Sequence, residues 1–391
     1  MIEEKTYEGE RDWLNTFVLV STPILAAILV PYHWINNGGF TGFEWGMFVF
    51  FMFATGTGIT GGYHRLWSHK AYTASAPVRL FYAYWGACAT QNTILKWSAD
   101  HRRHHKFVDT YGKDPYSAKQ GFWFSHIGWI LTNYQGEADL TNVNDLKKDK
   151  IIMFQARFYL PLVLFSNVVV PIAIGYAYHQ YTGASNMWGI MILAGLFRFV
   201  MNHHFTFLIN SACHIFGTQP YSDKDTSRDN WFLALFTYGE GYHNYHHTFQ
   251  ADYRNGIRWY HYDPTKWATK ALHIVGLTSN LKTMPESTIE KQKVIQKLNH
   301  SKKKLYKKFD LQEEMTVYQK VEKAYGEFTQ TMNEWLEEHN KFTRFCRETR
   351  SDEEKAPFME RIEKLQASIE AQKEQLHKFF NSSSLDALQT A

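Results

Sequence analysis

The sequence predicts a mostly α-helical, integral membrane protein. Four spans form a bundle, a histidine-rich helical cap lies at one end of it, and a polar helical hairpin follows at the C-terminus. Three observations predict this. Four long segments are apolar and nearly free of charge. Eight of the nineteen histidines fall into three short clusters that flank those segments. Past Pro285 the composition changes to a charged chain with helical periodicity. The expected division is therefore 1–285 for the bundle and cap, and 286–391 for the hairpin.

The first span is expected at residues 13–35, long enough for the roughly 20 apolar residues a spanning helix needs. A polar hairpin, Asn36-Asn37-Gly38-Gly39, leads to the second span at 43–60. Its end is rich in glycine (Gly56, Gly58, Gly61, Gly62), which permits close helix packing. Residues 77–95 are apolar but carry Arg79, Gln91 and Asn92, so they read as a buried or partly inserted helix. The aromatic stretch 121–131 reads as interfacial. The remaining spans are expected at 158–178 and 188–209. Lys and Arg are missing from 31–42 and from 179–188, whereas Arg65, Lys70, Arg102, Arg103, Lys106, Lys147, Lys148 and Lys150 gather on the other side. This charge bias places both termini and every histidine cluster on the cytoplasmic face.

Bulk composition agrees once the chain is divided. A mean hydropathy of -0.40 is pulled down by the last hundred residues, while aromatic content is 17%. The net charge of +4 is modest, and no arginine–aromatic array suggests a nucleic-acid partner. Cys88, Cys213 and Cys346 have no metal-type spacing and read as reduced thiols. In the tail, apolar residues recur every three or four positions from Tyr318 to Cys346 and again from Phe358 to Phe379. Thr349-Arg350-Ser351-Asp352 separates the two runs. That pattern predicts two amphipathic helices in an antiparallel hairpin.

The chemistry lies in the histidines. His101-Arg102-Arg103-His104-His105 places imidazoles at i, i+3 and i+4, on one helical face. His243-Asn244-Tyr245-His246-His247 repeats the pattern, and His64 and His69 form a looser pair. Neutral imidazole is the commonest metal ligand. Eight or nine such groups are too many for one ion and suit two. Nitrogen ligation alone leaves zinc and iron open. No HExxH motif of a zinc hydrolase is present. Asp100 and Glu240 adjoin the clusters and are expected to accept the second N–H of a ligand imidazole; a surface salt bridge is the alternative for each.

These motifs resemble those of the membrane fatty-acyl desaturases, in the Δ9 acyl-CoA branch. The matching stretches are His64-Arg-Leu-Trp-Ser-His69, Asp100-His-Arg-Arg-His-His105 and Gly239-Glu-Gly-Tyr-His-Asn-Tyr-His-His247, with Asn210-Ser-Ala-Cys-His214 at the end of the fourth span. The resemblance covers residues 13–267. It implies two iron ions held by His64, His69, His101, His104, His105, His214, His243, His246 and His247, with Asn210 contacting an iron through water. It implies O2 as co-substrate and insertion of a cis double bond into a saturated acyl chain. Gln91, Asn92, Trp97, Thr206 and Phe207 would line the acyl tunnel or its bend.

No haem, flavin or dinucleotide signature is present, so electrons must come from an external carrier. A ferredoxin- or cytochrome b-type protein with an NAD(P)H reductase is expected, and Arg102, Arg103 and Lys106 are candidate docking charges. The chain departs from the family in two places. Ile130-Leu-Thr-Asn-Tyr134 lacks the basic pair expected after His126-Ile-Gly-Trp129, and Ala99 replaces an arginine. The substrate implied is therefore acyl-CoA held by other cations, or an acyl lipid of the surrounding membrane. A hydroxylase with the same iron centre and a non-enzymatic metal-binding scaffold are the rival readings. The run 250–259 suggests a bacterial-type member in an inner membrane.

Overall fold

The computed structural model describes residues 9–133, 139–183, 187–309, 315–348 and 352–381. They fall into two compact units, one of 1–219 with 224–283 and one of 220–223 with 284–391.

In the first unit, α1 (Trp13–Asn37) starts at Asp12, whose carboxylate accepts from Asn15 N, and ends at Gly38 in the left-handed conformation. Trp13, Phe17, Ile24, Ile28 and Ile35 face outward, exposed. A continuous apolar surface of this kind belongs in lipid, where it displaces no water. α2 (Gly42–Thr57) opens with a capping box between Thr41 and Glu44. It runs without a break into the buried π-helical segment Gly58–Ser68. There Ser68 Oγ and His69 N donate to carbonyls five residues back, Tyr63 O and His64 O. The wider turn stacks residues five apart, which is the spacing of His64 and His69. The segment packs closely on α3 (Ala76–Cys88): a Cβ on Gly58 would stand 2.7 Å from Gly86 N.

α4 (Ile94–Phe107) is capped by Thr93, which accepts from Lys96 N. The long helices α5 (Tyr159–Thr182) and α6 (Met191–Ile215) follow. Short helices α7 (His243–Thr248) and α8 (Pro264–Ile274) complete the unit. Thr73–Ala74 pairs antiparallel with Thr278–Ser279, which returns the end of the unit to the first histidine segment. The core around Ile59, Tyr63, Trp67, Tyr82, Ile94 and Ile152 lies between the π-helical segment, α3 and α4.

Among the described residues, three helices are long and apolar enough to cross a membrane: α1, α5 and α6. The segment expected as a span at 43–60 is not among them: α2 has 16 residues and passes at Thr57 into the buried π-helical segment.

In the second unit, three helices replace the expected two: α9 (Glu286–Phe309), α10 (Met315–Glu348) and α11 (Asp352–Phe380). Phe345 packs on Phe358 beside the connection, and Glu338 lies 3.9 Å from Arg361 farther along, so α10 and α11 run antiparallel. Leu298 and Leu305 of α9 join Val321, Phe328, Ile369 and Leu376 in one core. Residues 349–351, which include most of the expected turn, lie outside the described residues.

Candidate metal centre

All nine expected histidines converge, in two groups. His64, His69, His101, His105 and His246 form one; His104, His214, His243 and His247 form the other. Within each group the ligand atoms lie within 4.8 Å of one another. α4 supplies His101 and His105 to the first group and His104 to the second. α7 divides in the same way, with His246 facing one group and His243 and His247 the other. The π-helical turn brings His64 and His69 together, and the last turn of α6 brings in His214.

Ring orientation shows what these groups can bind. Five Nδ1 atoms point away from the cluster centres toward oxygen acceptors. His64 Nδ1 lies 3.0 Å from Glu240, and His104 Nδ1 donates to Asp114 Oδ1 at 2.8 Å. His214 Nδ1 donates to Thr226 Oγ1 at 2.9 Å, and His101 Nδ1 reaches the Tyr116 hydroxyl at 3.3 Å. His247 Nδ1 faces Asp225 at 3.8 Å. An Nδ1–H held this way leaves the Nε2 lone pair free to bind.

The Nε2 atoms point inward. His246 Nε2 stands 2.9 Å from that of His64 and 3.0 Å from that of His105. His243 Nε2 stands 3.1 Å from those of both His214 and His247. One neutral N–H cannot serve two such neighbours, whereas one cation can. Two imidazole nitrogens about 2.1 Å from a shared ion and at a right angle would stand about 3.0 Å apart. The donor set therefore fits a metal ion in each group. His243 Nδ1 and His246 Nδ1, of the imidazole whose Nε2 meets two others in each group, are buried without a hydrogen-bond partner among the described residues.

Electrostatics favour the neutral, binding-competent imidazole. Burial first, and neighbouring imidazoles second, hold His69, His101, His105, His246 and His247 well below the usual histidine range. Burial alone would raise the Glu240 carboxyl, but His64 and Arg65 hold it down to about 2. Arg65 is fully buried between Glu240 at 2.8 Å and Asp263 at 3.0 Å.

The remaining sequence candidates separate. Glu240 stands behind an imidazole, that of His64, at 3.0 Å from its Nδ1. Asp100 does not: it accepts from Arg103 at 3.2 Å, because the i, i+3 relation on α4 places the two together. Arg102 is engaged by Asp145, Ser68 O, Trp67 O and Asn142 O. Gln91, Trp97 and Thr206 meet: Gln91 Nε2 donates to Thr206 Oγ1 at 2.9 Å, and Trp97 Nε1 donates to Gln91 Oε1 at 3.3 Å. Trp97 also stacks on His101, with ring centroids 4.8 Å apart.

Asn92 shares the Gln91 turn, with an exposed side chain. Phe207 lies elsewhere, against His126, His203 and His204. Asn210 is half-buried at the end of a helical stretch of α6, four residues before His214. Asp114, Thr226 and Tyr116 were not anticipated. Asp114 and Tyr116 lie in the polar loop that follows the second cluster, and Thr226 in the segment between His214 and His243; Asp109 of that loop accepts from Thr226 N and Oγ1.

Comparison with known proteins agrees with this geometry. The family model for fatty acid desaturase matches residues 43–273. Acyl-CoA desaturase 1 of Saccharomyces cerevisiae is 40% identical over 307 residues, covering 75% of this chain and 57% of the yeast protein. A probable acyl-CoA desaturase of Schizosaccharomyces pombe is 44% identical over 245 residues, 62% of this chain and 50% of its own. Stearoyl-CoA desaturase 5 of Bos taurus is 36% identical over 253 residues, 64% of this chain and 73% of its own. The match thus spans about half the length of the two yeast proteins. These relatives are eukaryotic and give no support to the bacterial reading of 250–259. Because the family model extends over more than half of the sequence and takes in all three histidine motifs, the chain belongs to the fatty acid desaturase family.

Proposed function

We propose that this chain is a membrane-embedded, O2-dependent acyl-CoA desaturase that inserts a cis double bond, at the Δ9 position, into a saturated acyl chain. The observation that carries the reading is the pair of imidazole groups, with Nε2 atoms converging and Nδ1 atoms held from behind. The names of the relatives supply the substrate class. Iron bound at both groups would supply what no side chain can: O2-driven removal of two hydrogens from adjacent unactivated CH2 groups. Overall, the two hydrogens, two external electrons and two protons reduce O2 to two waters.

The residues have these roles in the reading. His64, His69, His101, His105 and His246 hold one ion, and His104, His214, His243 and His247 the other. Asn210 would contact an iron through water. Glu240 and Asp114 fix the tautomer of the imidazole each one backs. Gln91, Trp97 and Thr206 shape the acyl bend beside His101. α1, α2 with its π-helical continuation, α5 and α6 are the four spans, and the histidines and both termini face the cytoplasm. Residues 1–285 form the catalytic part and 286–391 a separate helical part. A ferredoxin- or cytochrome b-type carrier delivers the electrons.

A second reading, with an acyl lipid in place of acyl-CoA, is favoured by one observation: Trp129 is followed by uncharged Ile130, Leu131 and Thr132. One experiment separates the two. Membranes containing the protein receive labelled stearoyl-CoA or labelled phospholipid, with NADPH, a reductase system and O2. A labelled Δ9 monoene from stearoyl-CoA is expected, absent without O2 and absent in His104→Ala. Conversion of the phospholipid alone would select the second reading, and a hydroxylated product would replace the desaturase by a hydroxylase.

A further inference from the structure

The turn between α3 and α4 contains no glycine, yet Thr90 (φ 57°) and Asn92 (φ 75°) both adopt the left-handed conformation. Such backbone persists only where its surroundings hold it. Here side chains from α5 and α6 do so. Arg198 is fully buried and, among the described residues, donates to neutral acceptors: Ala194 O, Cys88 O at the end of α3, and Asn167 Oδ1. Asn167 Nδ2 in turn donates to Thr90 Oγ1 at 3.4 Å. His203 Nε2 lies 3.3 Å from Thr90 O, with its Nδ1 2.9 Å from Phe199 O. The Tyr159 hydroxyl accepts from Asn92 N at 2.9 Å. Polar and charged groups within apolar spans are costly and mark function. Asn167 and His203 touch the turn directly, and Arg198 holds Asn167 and the end of α3 beside it.

Between its two strained residues the turn presents Gln91. That side chain bridges Thr206 and Trp97, and Trp97 stacks on His101. An unbroken set of contacts therefore runs from Arg198 through the turn to a candidate metal ligand. We propose that Arg198, Asn167 and His203 are positioning residues: by holding the turn they set the distance between the Gln91–Thr206 pair and the metal centre. They thereby decide which pair of carbons in the acyl chain is dehydrogenated. None of the three belongs to the histidine groups; each acts through Gln91 and Trp97. The inference rests on the desaturase reading above.

The test is the position of the double bond, read by mass spectrometry of the product from full-length protein in membranes, with iron content measured alongside. Thr90→Gly suits the left-handed backbone and loses the Oγ1 contact that Asn167→Ala removes from the other side; His203→Ala removes the contact at Thr90 O. A misplacement of about 1 Å can change a rate about a hundredfold. We expect isomers displaced by one or two carbons to rise about tenfold in share at unchanged iron content, and His203→Gln, which offers a donor toward Thr90 O, to return the parent ratio. Iron-loaded variants that make the parent isomer alone, only more slowly, would overturn the proposal. A parent protein that makes no monoene would remove the desaturase reading beneath it.

Discussion

The two histidine groups differ in how their outer partners are compensated. In the five-histidine group, Glu240 backs His64 and is itself paired with buried Arg65, which also binds Asp263. In the four-histidine group, Asp114 backs His104 and accepts otherwise from backbone N–H groups, those of Asp109 and Tyr116. One carboxylate sits in an ion network, the other in a cradle of neutral donors. The first arrangement would couple the binding of a metal ion to the stability of a buried charge cluster. The second leaves the carboxylate charge to act on its imidazole with less opposition. Similar ligand chemistry is thus supported by a structural device on one side and an electrostatic one on the other.

The largest effects should come from the central ligands. His243→Ala leaves the four-histidine group with three donors, whereas His246→Ala leaves the other with four. Both variants are expected to lose desaturation. Metal analysis after dialysis should show the ion of the depleted four-histidine group lost completely and that of the five-histidine group partly retained. Equal retention would show that donor number does not distinguish the groups.

The outer carboxylates should follow. Asp114→Asn and Glu240→Gln are each expected to weaken metal binding, by roughly 10- to 100-fold. They should differ in stability. Glu240→Gln leaves buried Arg65 with one carboxylate instead of two, and breaking a buried pair costs about 3–5 kcal/mol. Asp114→Asn keeps a side chain that can still accept from its backbone donors. Thermal unfolding of the metal-free proteins should therefore show the larger fall in Tm for Glu240→Gln. A reversed order would mean that the Arg65 cluster does not carry the stability assigned to it.

What could be read from sequence follows from which forces are local. The i, i+3, i+4 spacings of His101, His104 and His105 report an α-helical face directly, and the apolar lengths of α1, α5 and α6 report lipid. His64 and His69, five apart, would diverge on an α-helix; their convergence depends on the π-helical turn, which periodicity does not announce. Asp114 lies ten residues beyond His104 in a loop, so nothing local ties it to its partner. α9 was missed because its apolar positions, Leu298 and Leu305 among them, are sparse beside eight lysines. The strain at Thr90 and Asn92 was likewise hidden, since no glycine marks it.

Asp100 supplies the smallest predicted effect and a check on the comparison. By sequence it lies next to His101, closer than Glu240 lies to His243. In the structure its carboxylate faces Arg103, not an imidazole. The pair is only partly shielded, with the two side chains 17% and 23% exposed, and such pairs contribute about 0–1 kcal/mol. Asp100→Asn should therefore leave metal affinity unchanged and shift Tm only slightly, while Glu240→Gln measured in parallel lowers both. Adjacency to a ligand along the chain would then carry no electrostatic weight unless the carboxylate reaches an Nδ1–H. A tenfold loss of affinity in Asp100→Asn would break that rule, because it would show a carboxylate acting on the centre without touching any of its imidazoles.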